Sequence, residues 1–567
     1  MSKNLKKIVV LMFAIVLAVS SFVGCTPDPT PTPSGSTSPS VGPTGSVNPG
    51  LSGQLDIVVA QLGYGTEQIE KIAEEFGRIY GVTVDVRPTV VQSAEISQLE
   101  AGGKLGDLCL FTDSSLWNLW REGIAINIDD VVNSTPDGES KTVKQKMRQD
   151  IAFTYQYPVD GSYYSIPWSM DNMGLLYNET ALNTIFGENN WEMPVTTNEM
   201  LQMAKDIKAE MAANPGSNYY LMVYGALDSY WQILYKQWWA QYQGLEAYTQ
   251  ACLGYYWDEA TQTYKFSQNA ECVEQQVGLA RSYDFIQQLI RNANGYSHPF
   301  SRNMDFINSQ AAWLGNPYNG MMASCVFMPN GDWVFQESGE DIEYYNQTIG
   351  FAKTPILSAI VETLSFYEHG SAKLTSLNAN IQNTYDATLK AIIEYVDGGK
   401  VGAVPQYKGT DVTPADIARI EEARSTIGSK SQCQMFIPYN ADDVELAKQF
   451  MIFYASSYAS NIYSEYSYAF SPFYQEGDNV RDHYFMNQVK EILHDCPRYI
   501  MEFQSYELAN KIDWDKMGDP AEYFQTDTDN LGRTKSGDLA LQIAVDHMKL
   551  YWREIVVNAG LGNLLED

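Results

Sequence analysis

The sequence predicts an α/β fold in two lobes, and three features predict it. A strand, a helix and a second strand follow one another between Leu55 and Val86, which makes a βαβ unit and hence a parallel sheet with a right-handed crossover. The same alternation returns from Asp107 to Gly123, and a further helix opens at Thr196. Of the 567 residues 45% are apolar and only 19% charged, enough to bury a sizeable core and too few charges for a disordered chain.

The elements follow in order. Leu55 to Ala60 is an apolar run of strand type. Gly63 and Gly65 make a turn, and Thr66 is placed to cap a helix with Glu67 and Glu70 in its first turn. Ile69, Ile72, Ala73, Phe76 and Tyr80 recur at helical spacing until Gly81, and Val82 to Val86 alternates as the next strand. Asp107 to Phe111 reads as a strand, with Ser114 or Ser115 capping the helix of Trp117 and Trp120 and Gly123 closing it. Thr196 and Glu199 form a capping box ahead of Leu201, Ala204 and Ile207. There is no fixed-period repeat.

Ahead of this body stands an export leader. Lys3, Lys6 and Lys7 precede an apolar run from Ile8 to Val19, then Ser20-Ser21-Phe22-Val23-Gly24-Cys25 with a small residue before the cut site, the pattern of a secretory signal. Phe22-Val23-Gly24-Cys25 resembles the bacterial lipobox, which implies that Cys25 is diacylated and becomes the mature first residue. Two acyl chains anchor stably where one does not. A single transmembrane anchor is the rival, although the strongly apolar part is short for a span. From residue 26 to 50, 21 of 25 residues are Thr, Pro, Ser or Gly, a spacer that builds no core.

Acidic residues outnumber basic ones by 69 to 37, for a net charge of −32, and loss of the leader makes the chain more acidic still. Such a field repels phosphate backbones, so a nucleic-acid partner and a polyanionic substrate are excluded. The chain also carries 38 Tyr and 12 Trp, rings with flat apolar faces and polar edges that suit amphipathic ligands. The five His are scattered without metal-ligand spacing, so neither a metal nor a cofactor is expected. Cys252 and Cys272 are the one pair close enough in sequence to suggest a disulfide, with buried thiols the competing reading. Asp513 to Gly518 and Asp527 to Gly532 echo calcium loops, but each has an apolar residue where the fifth-position ligand belongs and reads as a turn.

Six segments in order resemble family 1 extracellular solute-binding proteins, the maltose-binding-protein-like receptors of ABC sugar importers. They are Glu74 to Val86, Gly106 to Gly123, Gly161 to Thr180, Asn330-Gly331-Asp332-Trp333 (similar to the family's NGPW element), Phe351 to Pro355, and Ile437 to Tyr454. The resemblance implies a type II periplasmic-binding-protein-like fold, with hinge-linked lobes and a ligand cleft. Its implied organisation is a signal peptide over 1–25, a spacer over 26–50, lobe 1 over 51–167 plus 350–460, and lobe 2 over 168–349 plus 461–567. Crossings between the lobes are expected at Ile166-Pro167, at Ile349 to Pro355 and near Tyr458 to Phe473. Residues 356–430 and the last ninety or so match less well.

Six ligand contacts are expected. Tyr64 lies in the glycine-flanked loop that leaves the first strand. Phe111 and Asp113 end the next strand at positions that the resemblance aligns with ligand contacts, against core packing and helix capping. Trp168 and Asp171 fall in the first crossing, offering a stacking face beside an acceptor, against hinge packing. Trp333 matches the Trp that stacks on ligand in sugar-binding relatives. Core packing is the reading for Trp313, Tyr230 and Trp231.

The implied function is a non-enzymatic receptor that binds a carbohydrate, an oligosaccharide, by lobe closure. It acts as a monomer, lipid-anchored through Cys25 on the extracytoplasmic face of the cell membrane, and passes its ligand to the ABC permease subunits. A peptide or polyamine ligand is the alternative. A secreted glycan-active enzyme is a further one, though nothing nominates its pair of carboxylates.

Overall fold

The computed structural model describes residues 51–566 apart from 113–115, 158–159, 369–378, 430–431 and 501–505. The leader, Cys25, the spacer, Asp113, Ser114 and Ser115 therefore lie outside the described residues.

The strands are β1 (Gln54–Ala60), β2 (Thr83–Thr89), β3 (Leu108–Phe111), β4 (Ile166–Met170), β5 (Met173–Asn178), β6 (Tyr219–Met222), β7 (Tyr255–Asp258), β8 (Thr263–Phe266), β9 (Ser324–Gly331), β10 (Ile349–Ala352), β11 (Gln406–Tyr407), β12 (Thr410–Asp411), β13 (Thr426–Gly428), β14 (Gln432–Phe436) and β15 (Arg498–Ile500). They form two main sheets. The first is 5-stranded in the order β2-β1-β3-β14-β4. Its β1, β2 and β3 are parallel, as the βαβ reading requires, and β14 runs antiparallel between β3 and β4. The second is 6-stranded, β15-β13-β5-β9-β6, with β10 also paired to β5. Hairpins β7–β8 and β11–β12 stand apart from both.

Leu55, Ile57, Val58, Val59 and Ala60 of β1 and all of β3 are buried, as expected of inner parallel strands covered on both faces. The helix Glu67–Tyr80 turns Ile69, Ile72, Ala73, Phe76 and Tyr80 inward, with Phe76 edge-on to Phe450 at 5.2 Å. Gly81, at φ 73°, ends it in a conformation that costs glycine nothing. Thr66 does precede the helix, but its hydroxyl donates to the Glu70 carboxylate at 2.9 Å instead of capping the backbone. The capping box of Thr196 and Glu199 is present at the head of Thr197–Ala213.

Asp107 pins the start of the first sheet. Its buried carboxylate accepts the N–H groups of Asp56 (3.1 Å), Asp442 (2.7 Å) and Asp443 (3.0 Å), joining β1 to the helix Val444–Tyr454. Asp107→Ala strips the partner from three backbone donors, and unfolding in denaturant should show a loss of about 2–4 kcal/mol.

The chain moves between sheets at short links. β4 belongs to the first sheet and β5 to the second, so the first passage is Asp171-Asn172, a few residues beyond the expected Ile166-Pro167. The return does not fall at Ile349 to Pro355. β10 is held antiparallel on β5, from Ile349 opposite Asn178 to Ala352 opposite Leu175, and the chain stays with the second sheet until β13 hands over to β14. A third passage lies between the helix Ser457–Ser467, which packs on Glu67–Tyr80, and the helix Tyr484–Asp495, which packs on β10.

The stretch that keeps to the second sheet builds an added module. Ile356, Ile360, Tyr385, Leu389, Ile392 and Ile420 form a core of their own beneath the helices Ala379–Asp397 and Pro414–Arg424. Arg424 pairs with Asp397 at 3.0 Å, and Arg419 ties the module to the helix Gln232–Gln243 through the Tyr242 carbonyl at 2.7 Å. At the other end of the chain, the helix Gly537–Asn558 packs along Val277–Ile290, and the Trp552 indole donates to the Ser267 carbonyl at 2.7 Å.

The other sequence marks resolve simply. Asp515 accepts the hydroxyls of Tyr235 and Tyr283, and Asp529 accepts the N–H groups of Leu531 and Arg533, so both calcium-like runs are turns tied to their surroundings. Cys252 and Cys272 are buried and are not joined in a disulfide, and the other described cysteines are likewise buried and unbridged. Among the described residues no helix is long and apolar enough to cross a membrane.

Candidate ligand cleft

Where the sheets adjoin, the loops beyond the carboxyl ends of β1 and β9 meet, the position at which open α/β sheets bind ligands. Tyr64 comes from the β1 loop, Asp332 and Trp333 follow β9 directly, and Asp171 and Asn172 form the passage between β4 and β5. Two glycines make the approach possible. A Cβ on Gly63 would lie 3.1 Å from the Trp333 ring, and one on Gly331 would lie 1.8 Å from it. The Trp333 ring folds back over the end of its own strand while the β1 loop passes across it.

Trp333 is the centre of an aromatic cluster. Tyr64 meets it edge-on, with centroids 6.1 Å apart, and Tyr230 meets it at 5.5 Å and 69°, with Phe306 beyond at 5.7 Å from Tyr230. Such edge-to-face contacts match the positive rim of one ring to the negative face of another. Tyr64 is 2% exposed and Trp333 6%, so neither is the open, loop-borne ring that the sequence suggests for Tyr64.

A buried polar chain runs beside the rings. The Tyr64 hydroxyl donates to Asp332 Oδ1 at 2.7 Å, and Asn172 Nδ2 donates to Asp332 Oδ2 at 2.7 Å. The Tyr499 hydroxyl, carried by β15, donates to Asn172 Oδ1 at 2.7 Å. Burial pushes the Asp332 carboxyl up to about 7 against the lowering effect of the Asn172 and Tyr64 bonds, and nearby Asp171 raises it further. Burial, then Asp332 and Asp171, also hold the Tyr64 phenol well above its ordinary range. Glu337, one turn beyond Trp333, is raised by burial and accepts from Gln310 Nε2 at 2.7 Å. A buried carboxylate beside aromatic faces can accept hydroxyl donors while a ring stacks on an apolar face.

The expected residues divide in two. Tyr64, Asp171 and Trp333 come together at the junction. Trp168 and Phe111 lie together inside the first sheet: Trp168 is 0% exposed, its indole N–H donates to the Phe111 carbonyl at 3.1 Å, and its own carbonyl accepts from Tyr454. Phe111 packs edge-on to Phe436 at 5.8 Å. Asp113 lies outside the described residues. Sequence reasoning passed over Asp332, Asn172 and Tyr499, and assigned Tyr230 to the core. The signal for Asp332 was in plain sight, a carboxylate where the resembled element has proline. Among the described residues no three side chains converge as metal ligands.

Residues 71–343 match a family of bacterial extracellular solute-binding proteins. The fold is similar to the GacH receptor of Streptomyces glaucescens, solved unliganded and in complex with acarbose, at a TM-score of 0.52 and 14% identity over 90% of this chain and 99% of that one. It is also similar to RafE from Streptococcus pneumoniae, solved in its apo form, at a TM-score of 0.52 and 14% identity over 89% of this chain and 98% of that one. No curated protein matches the sequence.

Proposed function

We propose, from the premise that residues 71–343 belong to the bacterial extracellular solute-binding proteins, that this chain binds an oligosaccharide between its two sheets and delivers it to an ABC importer. The observation that carries the proposal is the Trp333 cluster with Tyr64, Tyr230 and the Asp332 and Asp171 carboxyls, gathered where the chain passes from one sheet to the other. Flat rings beside hydrogen-bond acceptors suit a polyhydroxylated ring, which has apolar C–H faces and a rim of hydroxyls. The fold-level likeness to GacH, solved with acarbose, supports carbohydrate as the class. Because Tyr64 and Trp333 are buried, ligand reaches them only when the lobes part, and closure then grips it from both sides. Cys25 is the lipid-anchor site, holding a monomeric receptor at the extracytoplasmic face beside the permease, with the 26–50 spacer as tether. The receptor catalyses nothing.

A thermal-shift panel on the full chain tests this, with maltotriose, raffinose, galactose, spermidine and a tripeptide as probes. A ligand that binds only the folded form adds about 2.7 kcal/mol at a hundredfold excess over its Kd, so one glycan class is expected to raise the Tm clearly and to be recovered intact. A shift from spermidine or the tripeptide alone overturns carbohydrate as the ligand. Hydrolysis products overturn the receptor.

A further inference from the structure

Asp332 is joined to both halves of the molecule. It follows β9 of the second sheet, it accepts Tyr64 from the β1 loop of the first, and it accepts Asn172 from the passage between them. Its own N–H donates to the Asn172 carbonyl at 3.0 Å, so Asp332 and Asn172 are bound at two points. Parting of the lobes leaves that pair together and takes away Tyr64. We propose that Asp332 is the latch of the cleft: its carboxyl engages Tyr64 as the lobes close, gives it up as they open, and takes up a proton on closing.

The proton follows from the surroundings. In the closed arrangement Asp332 is fully buried. The titratable groups acting on it are Asp171 in the passage, Tyr64 on the β1 loop, Tyr463 on the helix Ser457–Ser467 and Tyr499 on β15. Arg148 lies over the Tyr499 ring, 5.3 Å from its centroid, and is linked to Asp332 through Tyr499 and Asn172. Nothing in this set neutralises a carboxylate, and burial with Asp171 favours the protonated acid, whose pKa is pushed up to about 7. With Tyr64 withdrawn and water admitted, the carboxyl returns toward the ordinary value of about 3.9. A group that is raised in the closed form stabilises that form most fully below the open-form value, and the gain fades as pH rises through the closed-form value. The closed-to-open ratio should therefore be lowest above about pH 7 and grow by up to about tenfold for each unit of acidification below it.

The proposal rests on the two-lobed cleft of the preceding subsection but not on the identity of the ligand, and the test needs none. In the full chain with Cys25→Ser, the exposed Val90, beyond β2, and the exposed Met322, ahead of β9, are replaced by cysteine for spin labelling, the described native cysteines being buried. Interlobe distance distributions are read at pH 5.5 and pH 8.5. The short-distance population is expected to rise at pH 5.5, and Asp332→Asn, which cannot ionise, is expected to remove the dependence on pH. Tyr64→Phe deletes one hydroxyl and serves if Asp332→Asn does not fold. It is expected to enlarge the long-distance population at pH 5.5. A distribution that ignores pH, a response that survives Asp332→Asn, or a Tyr64→Phe chain as closed as the parent overturns the latch. Failure of every sugar in the thermal-shift panel leaves these distances readable, so the two proposals fail separately.

Discussion

Trp333→Ala is expected to weaken binding of the selected glycan by about 1–3 kcal/mol, by analogy with the loss of an aromatic ring that stacks on a flat partner. On the affinity scale that is roughly a 5- to 150-fold rise in Kd. The substitution also costs stability. The ring fills the space between the Gly331 backbone, the β1 loop and Tyr230. Removing a buried Trp in such a setting costs about 3–5 kcal/mol. Titration calorimetry is therefore run well below the melting transition, with Trp333→Phe alongside. Phe keeps a stacking face and should recover most of the affinity. Unchanged affinity in a folded Trp333→Ala chain removes this residue from the site.

Trp168→Ala should act on stability instead. Its ring is enclosed in the first sheet, and its N–H satisfies the Phe111 carbonyl at the end of β3. Loss of the ring costs about 3–5 kcal/mol, in the range for a buried aromatic replaced by alanine. The orphaned carbonyl adds about 1 kcal/mol or more unless water reaches it. Chemical denaturation measures the loss. The comparison with Trp333→Ala is diagnostic: a chain that stays well folded yet loses its ligand would move Trp168 from the interior of the sheet into the cleft.

Local pattern made much of the fold legible. Ile69, Ile72, Ala73, Phe76 and Tyr80 recur at the helical period, Gly81 stops the helix, and the Thr196 box starts another, because each of these depends on residues within a turn or two of one another. Partners distant in sequence were not legible. Nothing within Ile349–Ala352 says that it will pair with β5 some 175 residues earlier, so the passage back to the first sheet was placed too early. The cleft followed the same division. Trp333 and Asp171 could be nominated from their segments. Asp332 finds its hydrogen-bond partners in Tyr64, 268 positions away, and in Asn172, 160 away, a distance no spacing rule reads. Tyr64 was expected in the open because it sits in a loop, but that loop is pressed on Trp333.

The strand ends that flank the two short links between the sheets lie side by side. Met170 is paired with Gln432 on one side of them and Met173 with Gly428 on the other. Both links are short, since two and three residues reach at most about 7 and about 10 Å. Two neighbouring points held in common by two rigid bodies define a line, and turning about that line is the motion that strains neither. In the two-lobed receptor proposed above, sliding and wholesale separation are then barred, and the longer third connection has only to follow. The spacing of the two halves thus reduces to one angle, and whatever docks on both of them reads a single coordinate.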